Sequence, residues 1–326
     1  MSQTASASTS RWRSLGRLAI RYNFIIIFLV LVVVASLLSE NFLTVRNIAN
    51  LFQQAAVVGI VSIGMTFVIL TAGIDLSVGS MVAFGGMLVA VLLAGGWPII
   101  PAILLVLLLG TLLGALMGGI SAYAAVPSFI ITLAGLVSIR GVTFLLSEGT
   151  PVGGLPSAFS AVGSAKLGVV PVMGIIYVVI AIVAGLILRL TVFGGQVYAT
   201  GGNAQAARLS GVPTRRIQTA VFAISGFLAT FAGILLTSRL RIGQPTAAQA
   251  LELDAIAAVV LGGTSLFGGR GGVLGTFVAV MLLQVLRNIF NLIGLGSFYQ
   301  MTVTGIIIIF AILLNKILDN QSGETA

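Results

Sequence analysis

TFVILTAGIDLSVGSMVAFGGMLVAVLLA, residues 66–94, is an apolar run to Thr71, a break at Ala72-Gly73, one acid at Asp75, and a second apolar run from Met81. A carboxylate between two membrane-length apolar segments is costly unless it is solvated, capped or paired. Asp75 stands where its oxygens can accept the free N–H groups of a helix beginning at Leu76. Ser77 and Ser80 add local acceptors, and Gly73 and Gly79 permit sharp backbone geometry. The stretch therefore predicts a helix end, a tight turn and a new helix start, at or near the membrane boundary. The plainer alternative is an ordinary loop between two spans.

The whole chain fits that medium. Of its 326 residues 58% are hydrophobic and 7% charged, and its mean hydropathy is +1.19. A soluble domain carries about a quarter charged residues. Runs of about 20 apolar residues imply helices, since barrel strands are short and alternate. The fold class is an all-α membrane protein, a polytopic bundle of about ten transmembrane helices. Cysteine and histidine are absent and only seven acids are present, so no thiol chemistry, metal site or metal cofactor is expected. The net charge of +9 marks cytoplasmic helix ends rather than nucleic-acid binding.

Residues 1–10, small and polar, read as a disordered tail, and 1–21 as a cytoplasmic tail. Arg11, Arg13, Arg17 and Arg21 precede an apolar run that ends at Ser39-Glu40-Asn41-Phe42 without a small-x-small cleavage site. It is a retained span with its amino terminus inside. The expected crossings are 22–39, 48–71, 79–95, 98–121, 127–147, 168–189, 216–238, 253–263, 272–293 and 298–315. The eighth is too short for a full span and is a tilted half-helix or a re-entrant segment. A single transmembrane domain then covers 22–316 and a cytoplasmic tail 317–326. Ten basic residues fall inside and five outside, with Arg140 within the fifth span, which places both termini in the cytoplasm. Arg140 is expected to be paired or to snorkel to an interface.

An echo appears at an offset of 190 residues: Gly73-x-x-Leu76-x-x-Gly79 recurs as Gly263-x-x-Leu266-x-x-Gly269. It is a repeat of the kind that marks transport pathways, or two glycine turns that converged. Gly110, Gly114 and Gly118 form a small-residue stripe for close helix packing, within the subunit or between subunits.

The longest cytoplasmic segment, 190–216, contains a capped helix. Asn203 suits the N-cap, Ala204 to Leu209 favour helix, Gly211 suits the residue after the C-cap, and Pro213 stops continuation. Two turns are not stable alone in water. Ala206, Ala207 and Leu209 offer a small apolar face, with Gln205 and Arg208 adding polar contacts. That face meets a partner, or else the protein's own inner surface.

Four stretches together resemble one family. They are GMTFVILTAGIDLSVGS (64–80), Arg140-Gly141 followed by Gly149-Thr150-Pro151-Val152, GGNAQAARLSGV (201–212) and QPTAAQALELDAIAAVVLGGTSLFGGRG (244–271). The resemblance, over about residues 40–316, is to the permease subunit of ribose-type sugar ABC importers of bacteria. It implies a bacterial inner-membrane subunit that pairs with a second copy in lipid and encloses the sugar route. It also implies a cytoplasmic ATPase subunit and a periplasmic sugar-binding protein on other chains. Residues 201–213 then match the family's coupling segment, with Asn203, Gln205, Ala206, Ala207, Arg208, Leu209 and Gly211 docking on the ATPase. Candidate pathway residues are Thr71, Asp75, Ser77, Thr264 and Ser265. The substrate that the resemblance implies is ribose, allose or a similar monosaccharide.

This chain itself has no G-x-x-x-x-G-K-[ST] cradle for phosphates, and no nucleophile–base pair. It is not expected to hydrolyse ATP. The alternative is an ion-coupled secondary sugar transporter, which would use Asp75 or Asp254; a channel would need a polar pore lining. A docking helix discriminates, since only the importer needs one.

Overall fold

The computed structural model describes residues 23–296 and, beyond them, residues 299, 302, 303, 305 and 306; side chains are described from residue 26. Its helices are α1 (Asn23–Leu38), α2 (Val45–Leu70), α3 (Val78–Ala94), α4 (Ile99–Ala124), α5 (Ser128–Leu145), α6 (Ser157–Ser164), α7 (Val172–Leu190), α8 (Val192–Gly202), α9 (Ala204–Leu209), α10 (Thr214–Leu240), α11 (Leu251–Leu261) and α12 (Val273–Leu292). A two-stranded hairpin, β1 (Lys166–Leu167) and β2 (Val170–Pro171), lies between α6 and α7. Six of these helices are long and apolar enough to cross a membrane: α2, α4, α5, α7, α10 and α12. Two more, α1 over Ile26–Leu38 and α3, are apolar but shorter. The chain is an all-α membrane protein of the multi-pass kind. The expected tenth crossing and both tails lie mostly outside the described residues.

Helices α2, α10 and α12 form the centre, and α4, α5 and α7 the rim. The rim helices keep apolar stripes outward: Leu104, Leu108, Leu112 and Leu116 of α4, four residues apart, are each more than half exposed. In lipid such exposure carries no penalty, so packing must come from shape. The glycine stripe of α4 shows how. A Cβ on Gly110 would strike Thr230, on Gly114 the backbone of Phe222, and on Gly118 the Phe222 side chain. The stripe seats α4 antiparallel on α10, so its use is internal.

One expectation is corrected and two readings are filled in. The first four residues of the expected sixth crossing, 168–171, lie in the hairpin and its turn, and the helix starts at Val172. Residues 192–202, part of the cytoplasmic segment to which the sequence assigned no element, form α8. The eighth segment is, as expected, too short for a full span: α11 has 11 residues and is about 16 Å long at 1.5 Å per residue. The stretch before it is anchored by Arg140, whose Nη1 donates to the carbonyls of Pro245 at 3.0 Å and Ala247 at 2.8 Å. Arg140 is thus paired, with backbone rather than with an acid.

Candidate functional site

The break after α2 is built as a helix-terminating turn. The Ala72 N–H donates to Ile69 O at 2.9 Å and Gly73 N–H to Val68 O at 3.1 Å, with Ala72 at φ +60°. Ala72 adopts a left-handed conformation that costs a non-glycine residue about 1–2 kcal/mol, so the surrounding bonds must fix it. They come from α5. Ser128 Oγ accepts the Ile74 N–H and Thr132 Oγ1 the Leu76 N–H, both at 3.0 Å. Ser80 Oγ donates to Leu136 O at 2.7 Å. This hydroxyl ladder, one turn apart on α5, replaces the water that an interior chain break lacks. Pattern reading missed it, because Ser128 and Thr132 look like ordinary span residues.

Asp75 is fully buried. Its Oδ1 accepts the Ser77 N–H at 3.0 Å and the Ser77 hydroxyl at 2.6 Å, and its Oδ2 accepts the Ser225 hydroxyl at 2.8 Å. Two expectations change. The helix begins at Val78 with Ser77 at its cap position, not at Leu76, so Asp75 closes the turn before it. The turn is also buried among the helices rather than lying on the surface as a connecting loop. Ser225 lies near the middle of α10, which runs from Thr214 to Leu240.

A second break follows α11 and ends in the same turn. The Gly263 N–H donates to Val260 O at 2.9 Å and Thr264 N–H to Val259 O at 3.2 Å, with Gly263 at φ +82°. What recurs structurally is this turn: Gly263 takes the place of Ala72, one residue off the 190-residue offset. The following stretches differ, with α3 restarting at Val78 and α12 at Val273. Loop 264–271 is closed on itself. Ser265 N–H donates to Arg270 O, Gly268 N–H to Ser265 O, Phe267 N–H to Ser265 Oγ, and Gly272 N–H to Thr264 Oγ1.

The two breaks meet. Gly269 N–H donates at 3.0 Å to Leu70 O, a carbonyl at the end of α2. Gly201, at the end of α8, lies so close that a Cβ there would overlap both Leu70 O and Gly269 N. A Cβ on Gly268 would sit 2.9 Å from both Ala72 N and Gly201 Cα. The Tyr198 hydroxyl completes the junction by donating to Gly271 O at 2.9 Å. Partial burial raises its pKa, against a weaker lowering by Arg189, so the phenol keeps its proton and its donor role.

Helix α9 leaves directly from this junction. Asn203 Oδ1 accepts the Ala206 N–H at 2.9 Å. At the other end Val212 N–H donates to Ala207 O and Gly211 takes φ +86°, so both caps form as the sequence implies. The side chains separate into two groups. Ala207 is buried against the protein's own bundle, whereas Gln205, Ala206 and Arg208 are exposed and Leu209 is 84% exposed. The single apolar face expected of Ala206, Ala207 and Leu209 is therefore divided.

Of the five pathway candidates, Thr71, Asp75 and Ser77 lie at the first break, and Thr264 and Ser265 close the second loop. The Thr71 hydroxyl donates to Val68 O at 2.8 Å. Their polar atoms are engaged in hydrogen bonds within the protein, local ones except for Asp75 Oδ2 to Ser225. A groove of about 390 Å³ lies elsewhere, between the amino-terminal ends of α2 and α7. It is lined by apolar side chains such as Ile48, Phe52 and Ile175. Binding a polyol would need placed polar groups.

Comparison with known proteins agrees with this architecture. Residues 47–312 match the family described as branched-chain amino acid transport system / permease component, and the chain belongs to it. It is 42% identical over 311 residues to the ribose import permease protein of Haemophilus influenzae, covering 94% of this chain and 96% of that one. It is 43% identical over 289 residues to the ribose import permease protein of Bacillus subtilis, covering 88% and 90%. It is 34% identical over 343 residues to the xylose transport system permease protein of Escherichia coli K12, covering 86% and 87%. No solved structure matches the chain.

Proposed function

We propose that this permease is the membrane-spanning subunit of a bacterial ATP-driven importer that moves a monosaccharide, ribose, allose or a similar sugar, by alternating access. The chain crosses the inner membrane about ten times with both termini in the cytoplasm, 11–21 and Lys316 supplying the inward positive charge. It pairs with a second copy. A cytoplasmic ATPase subunit hydrolyses ATP, and a periplasmic sugar-binding protein delivers the substrate.

The observation that supports this reading is α9. It is a six-residue helix outside the apolar spans, capped at both ends, with Leu209 held out into solvent. Residues Asn203 and Gly211 shape it, while Gln205, Ala206, Arg208 and Leu209 face the ATPase. Ala207 fixes the helix to the bundle. An ion-coupled carrier has no use for such a surface, and the oxygens of Asp75 are taken up by Ser77 and Ser225. We place the sugar route near Thr71, Asp75, Ser77, Thr264 and Ser265, around the two breaks.

The deciding experiment is uptake across a panel of labelled sugars, in vesicles containing the full assembly. ATP-dependent uptake of a pentose or related sugar that requires the binding protein is expected. Uptake that follows an ion gradient and ignores ATP would overturn the reading.

A further inference from the structure

Phe267 stands at the tip of loop 264–271 and is 89% exposed, with Leu266 beside it 43% exposed. The exposure is not slackness. Four hydrogen bonds close the loop on itself, and Gly268 and Gly269 are packed on Gly201 and Gly202. A large apolar side chain held rigidly away from the core is set to be covered by something, and rigidity lowers the ordering cost of binding.

Lipid, a second copy and a soluble partner are the possible covers. Lipid-facing side chains in this protein run along helix stripes, as in Leu104, Leu108, Leu112 and Leu116. Phe267 instead lies on a glycine-rich loop, three residues from the exposed Arg270. The backbone under it is continuous with the start of α9: Gly269 meets Gly202, whose next neighbour Asn203 caps that helix. Leu209 and Phe267 are therefore two exposed apolar anchors on one glycine-packed platform.

We infer that loop 264–271 is a second docking element for the ATPase subunit, with Phe267 as its anchor. The inference rests on the reading of α9 as the first such element. It gives the ATPase a hold on the α2 break that bypasses α9, through Gly269 N–H to Leu70 O. Movement of the loop then reaches the turn at Asp75 directly.

The chain has no cysteine, so single reporters are simple to place. Gln205→Cys on α9 and Leu266→Cys on the loop are made in the full-length permease, in inside-out vesicles. Each is treated with an impermeant maleimide with and without the ATPase subunit. Both are expected to label freely alone and ~10-fold more slowly in the complex. Phe267→Ser, with normal membrane insertion, is expected to weaken ATPase binding ~10-fold. Protection of Gln205→Cys without protection of Leu266→Cys overturns the second element and leaves the first standing. Protection of neither overturns both. Resistance of Leu266→Cys before any ATPase is added would mean that lipid or a second copy covers the loop, and overturns the inference as well. A Phe267→Ser permease that binds the ATPase as tightly as the parent does the same.

Discussion

Asp75 offers the sharpest test of how the bundle accommodates its chain break. Replacing it with Asn keeps one oxygen for the Ser77 N–H, and the new amide can donate to Ser225, whose hydroxyl can turn to accept. Each present partner keeps a bond to residue 75, and the freed Ser225 proton can turn back onto a helix carbonyl, so a loss of only ~1 kcal/mol is expected. Replacing it with Leu strands three donors: the Ser77 N–H, the Ser77 hydroxyl and the Ser225 hydroxyl. The hydroxyls have an escape, since helical serines and threonines here already turn back onto carbonyls, as Thr66 does onto Ser62 O at 2.8 Å. The Ser77 N–H has none. An unsatisfied buried amide costs ~1–3 kcal/mol, and imperfect rescue of the hydroxyls brings the expected total to ~2–4 kcal/mol. Unfolding of the purified permease in mixed micelles by increasing detergent, followed by circular dichroism, reads the difference, with uptake measured in parallel. Asp75→Asn should retain transport and Asp75→Leu should not. Equal loss in both variants, or an Asn variant that is stable yet transports nothing, would show that the negative charge is used for more than accepting hydrogen bonds.

Gly201→Ala should insert into the membrane yet disturb the junction with Leu70 and Gly269, at ~1–3 kcal/mol for overpacking. The readout is sugar moved per ATP hydrolysed, and an unchanged ratio would remove the junction from the coupling route. Leu209→Asp should leave folding intact and weaken ATPase binding ~10-fold in a pull-down titration. Ala207→Asp should instead lower the yield of folded permease, because it places a charge against the bundle. Arg140→Leu strands the carbonyls of Pro245 and Ala247 and is expected to cost ~2–4 kcal/mol, with Arg140→Lys milder; equal stability of all three proteins would sink that account.

What could be read from the residues divides by the range of the interactions. The caps of α9 were legible because Asn203 bonds three residues on and Gly211 needs only its own φ. The break at Ala72-Gly73 was legible for the same reason. Its depth was not, because the groups that permit burial lie on other helices: Ser128 and Thr132 are 54 and 56 residues from their partners, and Ser225 is 150 from Asp75. Without those hydroxyls a carboxylate at that position belongs at a boundary, which is where the sequence alone placed it. Helix α8 was not legible because four glycines in eleven residues lower helix propensity. The structure reverses this for a packing reason, since Gly201 needs to lack a side chain where α8 meets Leu70 and Gly269. The face of α9 shows the same limit at the smallest scale. Six residues make less than two turns, too few for periodicity to distinguish an inward alanine from an outward one. Only the burial of Ala207 and the exposure of Leu209 settle which way the helix is turned, and so which substitution tests docking and which merely tests folding.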